Sequence, residues 1–117
     1  MPRDRERLED LAEACRLIAQ FLGGVEREAF RDNEEKQWAV VSQLLILGEA
    51  VKGLSEDLRG QNPEVPWSEI ARMRDKVIHH YWEIDWEEVW MAATVGVPEL
   101  QAVVDRLLVI ERGDSGE

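Results

Sequence analysis

Apolar residues recur at three- and four-residue steps along almost the whole chain, and this periodicity constrains the fold more than any other feature. Side chains spaced that way leave water only as helices packed on helices. β-Strand alternation is sparse. Of the four prolines, Pro63 and Pro66 fall in one loop and Pro98 breaks or kinks a helix.

The first segment, about Arg3 to Leu22, places Leu8, Leu11, Cys15, Ile18 and Leu22 on one face and is stopped by Gly23-Gly24. Asp32, with Glu35 three residues on, reads as the capping box of a second helix running to about Arg59. Val40, Leu44, Leu47, Val51, Leu54 and Leu58 form its stripe, while Trp38, Val41, Leu45 and Ile46 lie off it. Such a helix belongs at the centre of a bundle or at an interface. A loop from Gly60 to Pro66 leads into a third helix near Trp67, with Pro66 at or just before its first turn. That helix is expected to run through Tyr81 and yield around Glu83. Asp85, with Glu88, caps another starting at Trp86, and beyond Pro98 an amphipathic piece carries Leu100, Val103, Val104, Leu107 and Ile110. The expectation is an all-α antiparallel bundle of four to five helices, one domain over residues 1–112, with 113–117 a disordered tail.

Size sets further bounds. A chain of 117 residues and 13.5 kDa exposes roughly 6,500 Å² folded against about 19,600 Å² unfolded, so about two-thirds is buried. One core is sustainable, with no room for a second domain or an internal cofactor cavity. A single cysteine, Cys15, excludes a disulfide framework or a cysteine-based zinc site and suits a reducing cytoplasm. The charged opening MPRDRERLEDL is no secretory signal, no apolar run approaches the ~18 residues of a membrane helix, and no glycine-rich phosphate loop occurs. A cytoplasmic protein without membrane contact or cofactor is expected.

The charge is strongly acidic: 14 basic against 25 acidic residues, net −11. Such a body does not attract nucleic acid by its overall field, so any contact with a polyanion needs a local patch. Residues 67–82 provide the only one, with Arg72, Arg74 and Lys76 against Glu69 and Asp75, plus His79 and His80. Arg72, Lys76 and His80 are therefore candidate contacts for a phosphate, that of RNA or of another polyanion.

Within that segment Arg74 falls in the middle of an apolar arc formed by Trp67, Ile70, Val77, Ile78 and Tyr81. An arginine there is either paired, with Glu49 or another carboxylate, or borders a cleft or second subunit. His79 lies about 140° around the helix and about 7.5 Å along it, with Asp75 on the same flank. A metal site from His79, His80, Glu83 and Asp85 is disfavoured because adjacent histidines point about 100° apart on a helix, and no metal is expected. Trp82, Trp86 and Trp90 recur every fourth residue; such a stripe reads as core or subunit interface rather than as a base-stacking platform.

Arg74, four residues, His79, one residue and Tyr81 together spell R-x4-H-x-Y, and in this the chain resembles the HepT-like family of HEPN proteins. The phrases LILGEAVKGLSED (Leu45 to Asp57), NPEVPWSEIARMRD (Asn62 to Asp75) and IDWEEVW (Ile84 to Trp90) are similar to that family's central helix, loop and final helix. The similarity spans roughly residues 4–110. It implies an all-α homodimer acting as a metal-independent ribonuclease toxin. The implied partner is a minimal nucleotidyltransferase antitoxin that silences the toxin by transferring AMP to the motif tyrosine. By the same resemblance Arg74 and His79 are catalytic, Asp75 is the polar residue after the arginine, Tyr81 is the adenylylation target and His80 fills a variable position.

The chemistry is consistent with those roles. Attack of a ribose 2′-OH on its phosphate needs a group that titrates near neutrality and a cation for the developing charge. His79 and Arg74 can supply these, with Asp75 orienting either, and a two-fold dimer would bring a second set. The alternative is a HEPN dimer that binds a nucleotidyltransferase and cuts nothing.

Overall fold

The computed structural model describes residues 2–116, with side chains described for 3–110. The chain is all-α: α1 (Pro2–Leu22), α2 (Arg27–Arg31), α3 (Glu34–Lys52), α4 (Glu56–Gln61), α5 (Trp67–His79), α6 (Trp86–Met91) and α7 (Val97–Gly116). A π-helical turn, Ala92–Gly96, joins α6 to α7 in one continuous rod. Among the described residues there is no strand. The result is the expected bundle: four long rods, with α2 and α4 as short connectors. Residues 113–117, expected to form a disordered tail, lie outside those described to the side chain.

Leu8, Leu11, Cys15 and Ile18 of α1 are fully buried, as their spacing requires. Gly24 ends the run in the left-handed region, φ 75°, where a side chain would be strained. Burial pushes the Cys15 thiol up to about 12, with the charge of Asp105 adding to the effect, so this cysteine is core and not nucleophile.

α3 is the central rod, packing against α1 and α5. Val40, Leu44, Leu47 and Val51 are buried with Val41, whereas Trp38 and Ile46 remain near half exposed. Its start and end differ from expectation. The N-cap is Asn33, whose Oδ1 accepts from Lys36 N at 3.0 Å, and Asp32 closes α2 instead. The helix stops at Lys52, not near Arg59, because Ser55 caps a separate helix: its Oγ accepts from Leu58 N at 3.1 Å. Ser55 is itself held by Asp4 of α1, a buried carboxylate that accepts from Ser55 N at 2.8 Å and Ser55 Oγ at 2.6 Å.

Asp85 caps α6 as its sequence context indicates, accepting from Glu87 N and Glu88 N. The acidic pairs Glu34-Glu35 and Glu87-Glu88 occupy first turns, where the helix dipole favours them. Glu87 also ties α6 to α2 through Arg27 and Arg31. Of the tryptophan stripe, Trp86 and Trp90 pack on Phe30 with ring centroids 6.5 and 5.3 Å away, and Trp86 meets Trp38 edge-on. Trp82 is off the stripe, 66% exposed in a 3-10 turn. No helix among the described residues is long and apolar enough to cross a membrane.

Candidate active site

The site rests on how α5 is set against α3. Pro66 precedes the first residue of α5 and its carbonyl accepts from Glu69 N and Ile70 N. The Trp67 indole donates to Asn62 O at 2.9 Å, and the Asn62 side chain donates to Leu58 O at 2.9 Å, so the loop before α5 is pinned at both ends. Trp67 and Val77 are buried beneath the helix.

α5 crosses α3 at Gly48. A Cβ placed on Gly48 would lie 2.2 Å from Arg74 Cβ and 2.8 Å from Arg74 Cγ, so the crossing exists only because residue 48 has no side chain. This close approach carries the Arg74 guanidinium past α3 to a pair of carboxylates. Its NH2 forms an ion pair with Glu49 Oε1 at 2.9 Å and its NH1 donates to Asp75 Oδ1 at 2.8 Å. Lys52 Nζ donates to that same Asp75 oxygen at 2.9 Å. Glu49, Arg74, Asp75 and Lys52 form an alternating chain of charges with no net charge.

Of the two alternatives for Arg74, the structure shows the pair, with Glu49 as a partner. The group is not deeply buried: the Arg74 side chain is 23% exposed and that of Glu49 63%. A guanidinium has five N–H donors, and two are engaged here, so the remainder are free to meet a ligand. Hydrogen bonds from Lys52 and then Arg74 hold the Asp75 carboxyl below its usual range. An acid held ionised by two cations orients a neighbour better than it carries a proton.

His79 is the last residue of α5 and is exposed. Among the described residues nothing pairs with it, and no hydrogen bond joins it to Arg74. His80 closes the helix, with its Nδ1 3.6 Å from Glu83 Oε1. The helix was expected to run through Tyr81 but ends two residues earlier. Tyr81 and Trp82 find no core to enter, and Asp85 must turn the chain to begin α6, so burial does not favour another turn of α5. Tyr81 therefore leaves the apolar arc. It is 61% exposed and stands edge-on to Trp82, centroids 5.3 Å apart, in a cluster that His80 completes.

Arg72 and Lys76 lie on the opposite flank of α5 from Arg74. They border a cleft with Glu69, Met73, Glu88 and Met91, and Lys76 approaches Glu88 at 3.7 Å. They are not brought to Arg74. The cation that is brought there, Lys52, comes from α3, and no local spacing in the sequence announces it. Gly48 was likewise unmarked, although a glycine inside an apolar helix is a signal for close approach. An apolar cleft of about 360 Å³ opens at the surface between α3, α5 and the π turn, lined by Leu44, Leu47, Ile70 and Leu100. No three His, Cys, Asp or Glu side chains among the described residues converge as a metal ion would require.

The comparisons with known proteins bear on this arrangement. The family model described as ribonuclease HepT-like matches residues 11–107. A Thermococcus cleftensis protein named "Probable ribonuclease HepT" is 39% identical over 103 residues, 88% of this chain and 94% of the relative. Two further relatives, from Methanocaldococcus jannaschii and Caldanaerobacter subterraneus subsp. tengcongensis, are named as candidate RNases. The first is 37% identical over 86% of this chain and 84% of its own length, the second 35% over 96% and 100%. No solved structure matches. With the family model covering most of the chain, and with Arg74, His79 and Tyr81 on and just beyond one helix, the protein belongs to the HepT-like ribonuclease family.

Proposed function

We propose that the protein is a metal-independent endoribonuclease toxin whose site is built on Arg74 and His79 and lies in the cleft of a homodimer. One observation carries the reading. Arg74 is oriented by two carboxylates at the α3–α5 crossing with N–H donors to spare, on the same helix that ends in an exposed histidine with no partner among the described residues. A base takes the 2′-OH proton, the 2′-oxygen bonds to phosphorus, and the bond from phosphorus to the 5′-oxygen breaks. An acid returns a proton to that leaving oxygen. The phosphorane carries extra negative charge, which a fixed guanidinium stabilises. Asp75 positions Arg74.

One histidine does not readily serve as base and acid in the same step, and a two-fold partner supplies the second. Ile78, one turn beyond Arg74, and Ile46, one turn before Glu49, are 42% and 46% exposed, and Tyr81 and Trp82 are more so. An apolar surface of that kind beside the ion network suits a subunit interface. Its partner in the proposed toxin–antitoxin pair is a minimal nucleotidyltransferase. The exposed hydroxyl of Tyr81 is open to AMP transfer, which would add bulk and negative charge at the mouth of the site. The action is placed in the cytoplasm, on RNA.

The charge of the body and the two carboxylates already on Arg74 favour a second reading, a non-catalytic dimer that binds the nucleotidyltransferase. Labelled RNA incubated in EDTA with the unmodified protein and with His79→Ala separates the two. Cleavage by the parent alone supports the ribonuclease. Cleavage by neither, with mass spectrometry showing Tyr81 bare, supports the binding module. Cleavage by both removes His79 from the site. An AMP adduct on co-expression with the transferase, lost in Tyr81→Phe, is the expected sign of the silencing step.

A further inference from the structure

The ribonuclease reading leaves Lys52 without a role, and the residues expected to hold RNA, Arg72 and Lys76, face away from Arg74. Lys52 donates to the same Asp75 oxygen as Arg74, at 2.9 and 2.8 Å, so the two cationic nitrogens lie within about 6 Å of each other. That separation allows them to hold the two non-bridging oxygens of one phosphodiester. An ammonium has three donors and one is engaged, and the Lys52 side chain is 41% exposed.

The charge arithmetic gives Lys52 a specific task. Glu49 and Asp75 contribute −2, Arg74 +1; without Lys52 the cluster around the guanidinium is −1 and repels a phosphate. With Lys52 it is neutral, and the unengaged donors of both cations decide the sign of the local field. In a chain of net charge −11, this offset is what makes Arg74 approachable by RNA.

We propose that Lys52 forms, with Arg74, a subsite for one backbone phosphate of single-stranded RNA, an inference that rests on the ribonuclease reading. Lys52 acts here as a binding residue: it lowers KM without sharing in the bond changes.

The test uses the full-length protein carrying His79→Ala, so that RNA is bound without being cut, and reads the anisotropy of a fluorescein-labelled single-stranded oligonucleotide. Lys52→Met is expected to weaken Kd about ten-fold at about 50 mM salt and to flatten the dependence of log K on log salt by about 0.7. Lys52→Arg is expected to stay within about two-fold of the parent, because a second cation at that point restores the offset. The melting temperature should stay put, since an exposed pair contributes little to stability. With His79 intact, Lys52→Met should raise KM and leave kcat nearly unchanged. Binding unaffected by Lys52→Met, or a loss that Lys52→Arg does not repair, overturns the subsite. So does a fall in kcat with KM unchanged. A parent that cuts RNA while Lys52→Met binds normally sinks the subsite alone. A parent that cuts nothing while Lys52→Met still weakens binding sinks the ribonuclease reading and keeps the subsite.

Discussion

Gly48→Ala turns on a contest between two opposite effects of known size. In an isolated helix, replacing an interior glycine by alanine is favourable by about 1 kcal/mol. Here the new methyl would sit 2.2 Å from Arg74 Cβ. Carbon atoms in contact prefer about 3.5–4.0 Å, so α5 must withdraw from α3 by roughly 1.5 Å. Arg74 cannot rotate out of the way, because its Cβ is fixed by the backbone. Overpacking of this kind costs about 1–3 kcal/mol, and withdrawal also loosens the contact of Ile70 and Met73 with the core beneath α5. The clash wins. We expect a net loss of up to about 2 kcal/mol and a melting temperature lower by up to roughly 8 °C in a domain of this size, with RNA cleavage reduced further than stability alone explains because Arg74 moves away from Glu49. The double variant Gly48→Ala/Arg74→Gly removes the opposing Cβ and should show a favourable coupling of about 1 kcal/mol in a double-mutant cycle. A Gly48→Ala protein that melts higher than the parent and cleaves as well would refute the close crossing.

Arg74→Ala should abolish cleavage while lowering stability by no more than about 1 kcal/mol, because Glu49 and Asp75 are exposed enough to be rehydrated when the guanidinium goes; a far larger fall in the thermal melt would mean Arg74 is a structural core residue. Asp75 is held below its ordinary range by Lys52 and Arg74. A depressed carboxylate contributes stability that is complete above its unfolded value near 3.9 and is lost only as pH falls through the folded value below it. The ion network is therefore intact throughout pH 5–8, and Asp75→Asn should lower the rate without moving either limb of the pH–rate profile in that window; a displaced limb would make Asp75 the titrating group. Asp4→Ala strips the acceptor from Ser55 N and Oγ, and should cost about 1–3 kcal/mol in chemical denaturation while cleavage at low temperature is retained; an unchanged midpoint would count against the tie between α1 and α4.

Much of the fold is legible because it depends on neighbours in sequence. The Leu8–Ile18 face, the glycine stop after Leu22 and the Asp85 cap each follow from residues within a few positions of one another, and each stands in the structure. The boundaries that moved were decided from a distance. α3 ends at Lys52 because Ser55 is recruited by Asp4, 51 residues away. α5 ends at His79 because the bundle offers no core to Tyr81 and Trp82. The site divides the same way. The proposed site residues Arg74, Asp75 and His79 come from one helical motif, and Glu49 from pairing as one of the two alternatives for an arginine in an apolar arc. Lys52 lies 23 residues from Asp75 on another rod, and only the crossing at Gly48 brings it there.

The π turn between α6 and α7 has a bearing on what lengths this chain can tolerate. The buried positions Val89, Ala93, Val97, Leu100, Val104 and Leu108 would drift about 100° around a uniform α-helix, one residue's worth of rotation. The turn at Ala92–Gly96 takes up that residue as a bulge, and Pro98, with no N–H to give, does not draw the segment back into the α pattern. A deletion inside most helices swings everything downstream off the core. Between residues 92 and 96 a one-residue deletion would instead anneal the bulge and leave both halves of the rod facing inward, so this joint is where the longest rod can shorten by one residue without being refolded.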